Sequence, residues 1–310
     1  MLSLAKLISF VKVADSGGFS RAALLLGTAH SGLSRQVAEL EAELGYRLLQ
    51  RTGRGVRLTE AGHRLYLQAR QLIAQAEALH DEAIAIRGVP VGTVTIGMPG
   101  SVAMLLGSHL LVQASDKYPQ VKIRLIEGLS ATVEEQLTTG RVDFGLYFAA
   151  LDRPAARATP LYLSDLYLVG PPGDPLFSRP TVPTSCLQRL RLILPGAPNA
   201  IRVAVEHACA QAGFACNVAY EADSLSTMKR AIEVGAGYTV SGWESMVREV
   251  EAGALAAARL TSPTLTRVMN LEVARVHPLT MATGVVLREV QALAKALRAD
   301  EKLRLREVRP

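Results

Sequence analysis

The chain has 310 residues, 49% of them hydrophobic and 20% charged, with 34 Lys and Arg against 28 Asp and Glu. That length predicts about two domains, and the apolar share excludes a disordered chain. The net charge of +6 favours a polyanionic partner over a basic one, and no uninterrupted apolar run approaches the ~20 residues of a membrane helix.

The first apolar pattern, Leu4, Leu7, Ile8, Phe10, Val11 and Ala14, repeats at helical spacing. Lys6, Lys12 and Asp15 interrupt it, so it is not expected to be a signal peptide. Ser20 is the expected N-cap of a short apolar helix, and Gly27 its left-handed end. Thr28 is the expected cap of the next helix, whose buried stripe is Leu33, Val37 and Leu40. His30, Ser31, Ser34, Arg35 and Gln36 fall largely off that stripe. These residue types reach phosphates and base edges from a helix lying in the major groove of double-stranded DNA. Two strand-like runs then flank the turn Thr52-Gly53-Arg54-Gly55 and predict a hairpin. The hairpin and its approach carry Arg47, Arg51, Arg54 and Arg57 with no acid between them, which suits a phosphate clamp. A solvated loop is the bland alternative.

Residues 1–65 resemble the N-terminal winged helix-turn-helix of LysR-type transcriptional regulators. The likeness runs without gaps through Phe10, Ala14, Gly18, Phe19, Ser20, Ala22, Ala23, Leu33, Ser34, Gln36, Glu41, Leu44, Gly45, Leu48, Arg51, Thr59, Ala61 and Gly62. Ala29-His30-Ser31 stands where the family usually reads Ser-Gln-Pro, so His30 replaces a Gln that typically touches bases. The resemblance implies a DNA-binding domain over residues 1–58.

Residues 59–90 are the expected linker helix and hinge. Thr59 can cap a helix opening on Glu60. Leu65, Ala69, Leu72, Ala76, Leu79, Ala83 and Ile86 follow at spacings of four and three, a heptad seam. Gly88-Val89-Pro90 breaks the helix. In the resembled family this helix pairs two subunits, which implies a homodimer through Leu65, Leu72, Leu79 and Ile86, assembled further into a homotetramer.

From residue 91 the pattern alternates strand and helix, an α/β signature with parallel crossovers. Strands are expected at 93–97, 121–127, 142–148, 191–194, 217–221, 238–241 and 267–276, with helices at 101–114, 132–139, 201–212, 225–234 and 279–299. Tyr118-Pro119, Glu127-Gly128, Gly140-Arg141-Val142-Asp143 and Gly235-Ala236-Gly237 carry a looser likeness to the family's effector-binding domain. It implies a two-lobe domain of periplasmic-binding-protein type over 91–310, lobe I about 91–162 and 266–310, lobe II about 163–265. Ligands of such sheets bind at strand carboxyl ends near helix starts. Ser101 and Val102, Ser130, and Asn199 with Arg202 open three such loops. Tyr147, Phe148 and Trp243 are candidate apolar walls, and capping or core packing is the alternative at each position.

Enzymatic readings fare poorly. The histidines His30, His63, His80, His109, His207 and His277 have no metal-ligand spacing, and no nucleophile elbow or phosphate loop occurs. Cys186, Cys209 and Cys216 form no CxxC pair, fit a reducing cytosol, and read as buried thiols before a redox sensor. The expectation is a cytoplasmic LysR-type regulator without metal or cofactor, controlled by a small anion or carboxylate. RNA polymerase is a further expected partner. A DNA-architectural protein and a small-molecule-binding protein are the alternatives. Residues 195–240 resemble the subgroup controlling nitrogen and sulfur assimilation.

Overall fold

The computed structural model describes residues 2–53, 55–85, 88–151, 157–276 and 278–308. The chain splits into two compact units, Met1–Arg87 with Arg275–Thr280, and Gly88–Ala274 with Met281–Pro310.

In the first unit, α1 (Leu4–Ser16), α2 (Phe19–Leu26) and α3 (His30–Leu44) converge on one core. Leu7, Phe10, Val13, Ala22, Leu33, Val37 and Leu40 are all buried in it. The helix starts differ from the sequence expectation. Gly18 and Ala29 precede α2 and α3, and neither start has a side-chain cap. Ser20 is exposed within α2. Thr28 is engaged elsewhere: its N–H bonds Ala23 O at 3.1 Å while Gly27, at φ 61°, bonds Leu24 O. That pair of bonds closes the end of α2.

The strands β1 (Leu49–Thr52) and β2 (Gly55–Leu58) pair antiparallel, from Leu49↔Leu58 to Thr52↔Gly55. Two contacts lock this hairpin to the helices. Val56 N–H donates to Gly17 O at 2.9 Å. A Cβ on Gly55 would stand 2.2 Å from that same oxygen, so only glycine fits. The Glu41 carboxylate of α3, itself buried, accepts the N–H of Leu48 (2.8 Å) and Leu49 (3.1 Å) and a guanidinium N–H of Arg47 (2.8 Å).

Next comes α4 (Glu60–Ala85). The Thr59 hydroxyl accepts Gly62 N–H at 2.9 Å and donates to Arg47 O at 2.8 Å, so Thr59 caps the helix as expected. Its first turns join the helical core through Leu65, Tyr66 and Ala69. Leu65 is half-buried against the core of its own unit. Tyr66 and Arg70 both bond Asp15 of α1. Further along, Ala74 and Ala78 are buried, while Leu72 and Leu79 are 47% and 70% exposed. Ile86 and Arg54 lie outside the described residues.

The second unit opens with β3 (Gly92–Met98), α5 (Gly100–Val102), a π-helical segment (Ala103–Gly107) and α6 (Ser108–Lys117). The expected single helix at 101–114 is thus interrupted by a π turn. Then follow β4 (Val121–Glu127), α7 (Ser130–Thr138), β5 (Phe144–Ala150), β6 (Thr159–Gly170), β7 (Thr181–Pro183), β8 (Leu192–Leu194) and α8 (Ala200–Gln211). The remainder is β9 (Val218–Glu221), α9 (Leu225–Glu233), β10 (Thr239–Gly242), α10 (Val247–Glu251), β11 (Ala256–Thr261), β12 (Thr266–Val273) and α11 (Met281–Ala299).

An eight-stranded sheet runs β4-β3-β5-β12-β6-β11-β7, with β10 also pairing β6. At one edge β3 pairs parallel with β4 and β5, at the other β11 pairs parallel with β7, and β12 lies antiparallel to β5 and β6. The strands β6, β7 and β11 were not expected. In β6 the central Ser164-Asp165 breaks the apolar run. Residues Thr159 to Asp165 of β6 pair with β12, and Leu166 to Gly170 pair with β10 or β11. One strand thus serves two lobes. Lobe I packs Val94, Ile96, Phe144 and Met269 against Val286 and Val290 of α11. In lobe II, Leu166 and Leu168 face one core and Tyr167 and Val169 another, as strand alternation requires. No helix of the described residues is long and apolar enough to cross a membrane.

Candidate functional site

The first unit presents α3 and the hairpin. The Arg35 side chain is 82% exposed, and its Nε lies 3.2 Å from Glu39, one turn on. Ser31 is exposed and Ser34 half-buried beside it. The His30 ring lies 5.8 Å from that of Phe19. Gln36 is partly committed: its Oε1 accepts the hydroxyl of buried Ser9, which leaves its NH2 as the outward donor. In the hairpin, Arg51 pairs across from Val56 and Arg57 across from Gln50. Alternation therefore sends Arg51 and Arg57 to opposite faces. Arg51 sits 5.9 Å from the Phe19 ring, and Arg57 is exposed. Arg47 is also exposed, with one guanidinium nitrogen on Glu41 at 2.8 Å.

The second unit contains a cleft of about 480 Å³ between its lobes, within the range of small-molecule sites. Ser101, Glu127, Ser130 and Phe148 line it from lobe I, and Asn199, Asp223, Ser224 and Ser226 from lobe II. Ser241 of β10 and Arg267 of β12 line it too. The Ser101 hydroxyl makes no hydrogen bond among the described residues, and the helix start at Pro99 has no side-chain cap. Ser130 and Asn199 are partly occupied: Ser130 Oγ accepts Phe148 N–H (3.1 Å), and Asn199 Oδ1 caps α8 through Ile201 N–H (2.8 Å).

Arg267 is 4% exposed. Its guanidinium lies 3.4 Å from the Phe148 ring centroid and bonds Glu244 at 2.7 Å. Glu244 in turn accepts Ser164 of β6 at 2.9 Å. On the other side of β6, Asp165 accepts Thr266 (2.8 Å) and Arg306. A residue at the cleft is thus wired to the strand that joins the lobes.

Four expected cleft residues lie elsewhere. Val102 is buried in the lobe I core, because the helix turns it away from the side of Ser101. Tyr147 is 1% exposed and donates to Glu272 at 2.6 Å; burial and that carboxylate push its phenol far above the ordinary value. Arg202 is held by Glu206 and, at 3.0 Å, by Glu221, and these bonds raise its pKa. Trp243 packs in lobe II, with Nε1 donating to Lys302 O at 2.7 Å and Arg304 stacked 3.6 Å from its ring. The residues that sequence reasoning missed are Asp223, Ser224, Ser226, Ser241 and Arg267. Asp223-Ser224 sits between β9 and α9, so the strand-end rule applied to Ser101 would have found it.

A helix-turn-helix with an arginine-bearing wing, carried on the same chain as a two-lobed α/β unit holding a polar cleft, defines a ligand-responsive DNA-binding regulator. Residues 4–63 match the bacterial regulatory helix-turn-helix protein, lysR family, and residues 87–297 match the LysR substrate binding domain. The chain belongs to the LysR family of transcriptional regulators. It is 31% identical over 298 residues to the nitrogen assimilation regulatory protein nac of Klebsiella aerogenes, covering 96% of this chain and 94% of that protein. It is 32% identical over 299 residues to a probable hydrogen peroxide-inducible genes activator of Streptomyces viridosporus, covering 96% and 93%. Among solved structures, a full-length OxyR variant from Pseudomonas aeruginosa superposes with a TM-score of 0.70 at 22% identity, covering 95% of this chain and 98% of that one. The protein is a DNA-binding transcriptional regulator with an effector-binding domain, and not an enzyme.

Proposed function

We propose that this cytoplasmic regulator reads an imperfectly palindromic DNA site through α3 and its wing, and that a small carboxylate-bearing ligand between the lobes sets how it binds or bends that site. Residues 1–58 bind DNA, 59–90 link and pair subunits, and 91–310 hold the effector. Ser31, Ser34, Arg35 and the Gln36 NH2 face bases, while Arg51 and Arg57 meet phosphates on two sides of the wing. Dimers pair through Leu72 and Leu79, assemble into a tetramer, and act on RNA polymerase at the promoter. The ligand works by favouring one lobe arrangement over another.

The unpartnered Ser101 hydroxyl at a helix start carries the effector reading. Pro99 holds the cap position, Ser101 stands two residues on, and its hydroxyl bonds nothing among the described residues. Burial pushes the Cys209 thiol up to about 12 and raises that of Cys186, which disfavours the thiolate at both. A thermal-shift screen against a metabolite library tests the cleft, since a bound ligand raises stability by mass action. The expected hit stabilises wild type and not Ser101→Ala, and Ser101→Ala loses reporter induction by that compound. Equal stabilisation of both proteins would remove Ser101 from the site.

A further inference from the structure

We infer that the cleft selects a zwitterion of the α-amino-acid class, with a carboxylate and an ammonium on one small molecule. This deepens the effector reading above and rests on it. Two donors from buried residues line the cleft. Arg267, 4% exposed, has an Nε with no hydrogen-bond partner. Ser241 is also 4% exposed and lines the cleft, and its hydroxyl has no partner among the described residues. Buried donors left unmet are costly, and a carboxylate is the acceptor that suits a guanidinium and a hydroxyl together.

Two exposed acids line it as well, one from each lobe. Glu127 ends β4, and its Oε2 lies 2.9 Å from where a Cβ of Gly100 would stand. Asp223 follows β9 and, among the described residues, accepts only Gly196 N–H, at 2.9 Å. Neither forms an ion pair among the described residues. Glu127, Asp223 and Arg267 are the charged residues of the lining, and Glu244 already balances Arg267. The uncompensated charge is therefore negative. A dianion would meet repulsion there. An ammonium between Glu127 and Asp223 would touch both lobes at once, giving the ligand a greater affinity for the closed arrangement.

The test is a melting-temperature and calorimetric titration of the full-length protein with the common amino acids, their N-acetyl and carboxamide derivatives, and simple dicarboxylates. At least one amino acid should stabilise the protein, and masking either its amine or its carboxylate should weaken binding about tenfold or more. Glu127→Gln and Asp223→Asn, each folded by its ligand-free melting curve, should weaken that amino acid by about the same factor. Stabilisation by a dicarboxylate that Glu127→Gln strengthens would overturn the zwitterion and leave the effector cleft standing. Failure of every amino acid overturns it as well. In that case a library hit lost in Ser101→Ala preserves the cleft, and the absence of any such hit removes both readings.

Discussion

Glu41 and Glu127 are carboxylates of the same chemistry with opposite occupations. Glu41 is buried and saturated, with two backbone amides and Arg47 upon it. It ties the end of α3 to the start of the wing, so its cost of burial is offset by charge-assisted bonds. Glu41→Gln keeps the shape and removes the charge. It should destabilise the winged unit by about 2 kcal/mol, read as a lower urea midpoint. Operator affinity measured well below that midpoint should change far less, because Glu41 does not face DNA. An unchanged midpoint would mean that the amides of Leu48 and Leu49 are satisfied as well by a neutral acceptor. Glu127 has no such partners, and the same substitution there should be felt through ligand and not through folding.

At the scale of elements, the proposed reading divides the work of DNA binding between α3 and the hairpin. Arg35→Ala should weaken the operator by about 1–3 kcal/mol and relax its sequence preference, since a base contact is lost. Arg57→Ala should weaken all DNA alike and lower the salt slope by about one unit. Salt titrations on operator and random duplexes separate the two, and a sequence-selective loss in Arg57→Ala would put that arginine in a groove. The helices that do this were legible in the sequence, because Leu33, Val37 and Leu40 recur at the period of a helix packed on one side. Their caps were not. Whether Thr28 starts α3 or finishes α2 depends on the bond from its N–H to Ala23 O, a choice made by the Gly27 turn. In the cleft, Ser101, Ser130, Phe148 and Asn199 were legible from strand ends. Arg267 was not, because an arginine inside a strand is buried only where a partner such as Glu244 and a ring such as Phe148 await it. β6 was missed for a related reason: Ser164 and Asp165 look like a turn until their partners at Glu244 and Thr266 are seen.

At the scale of the whole molecule, the proposed assembly would rest on α4. Leu72 and Leu79 expose large apolar side chains on one helix, a surface that a partner copy would cover. Leu72→Glu places an unpaired charge in that interface. Light scattering should then report a smaller species, and operator binding should fall because a single half-site holds too weakly. An intact oligomer with full affinity would place the interface elsewhere. Within the effector unit, the lobes share β6, whose first half pairs with β12 and whose second half lies between β10 and β11. Such a joint behaves as a leaf spring and not as a loose hinge: any closing motion must flex a laddered strand. Part of each ligand's interaction energy is then stored in the spring and the rest is left as affinity. Two compounds that occupy the cleft equally well can bend β6 by different amounts, so tight occupancy and strong induction become separable traits, and a silent competitor is as natural a ligand for this fold as an inducer.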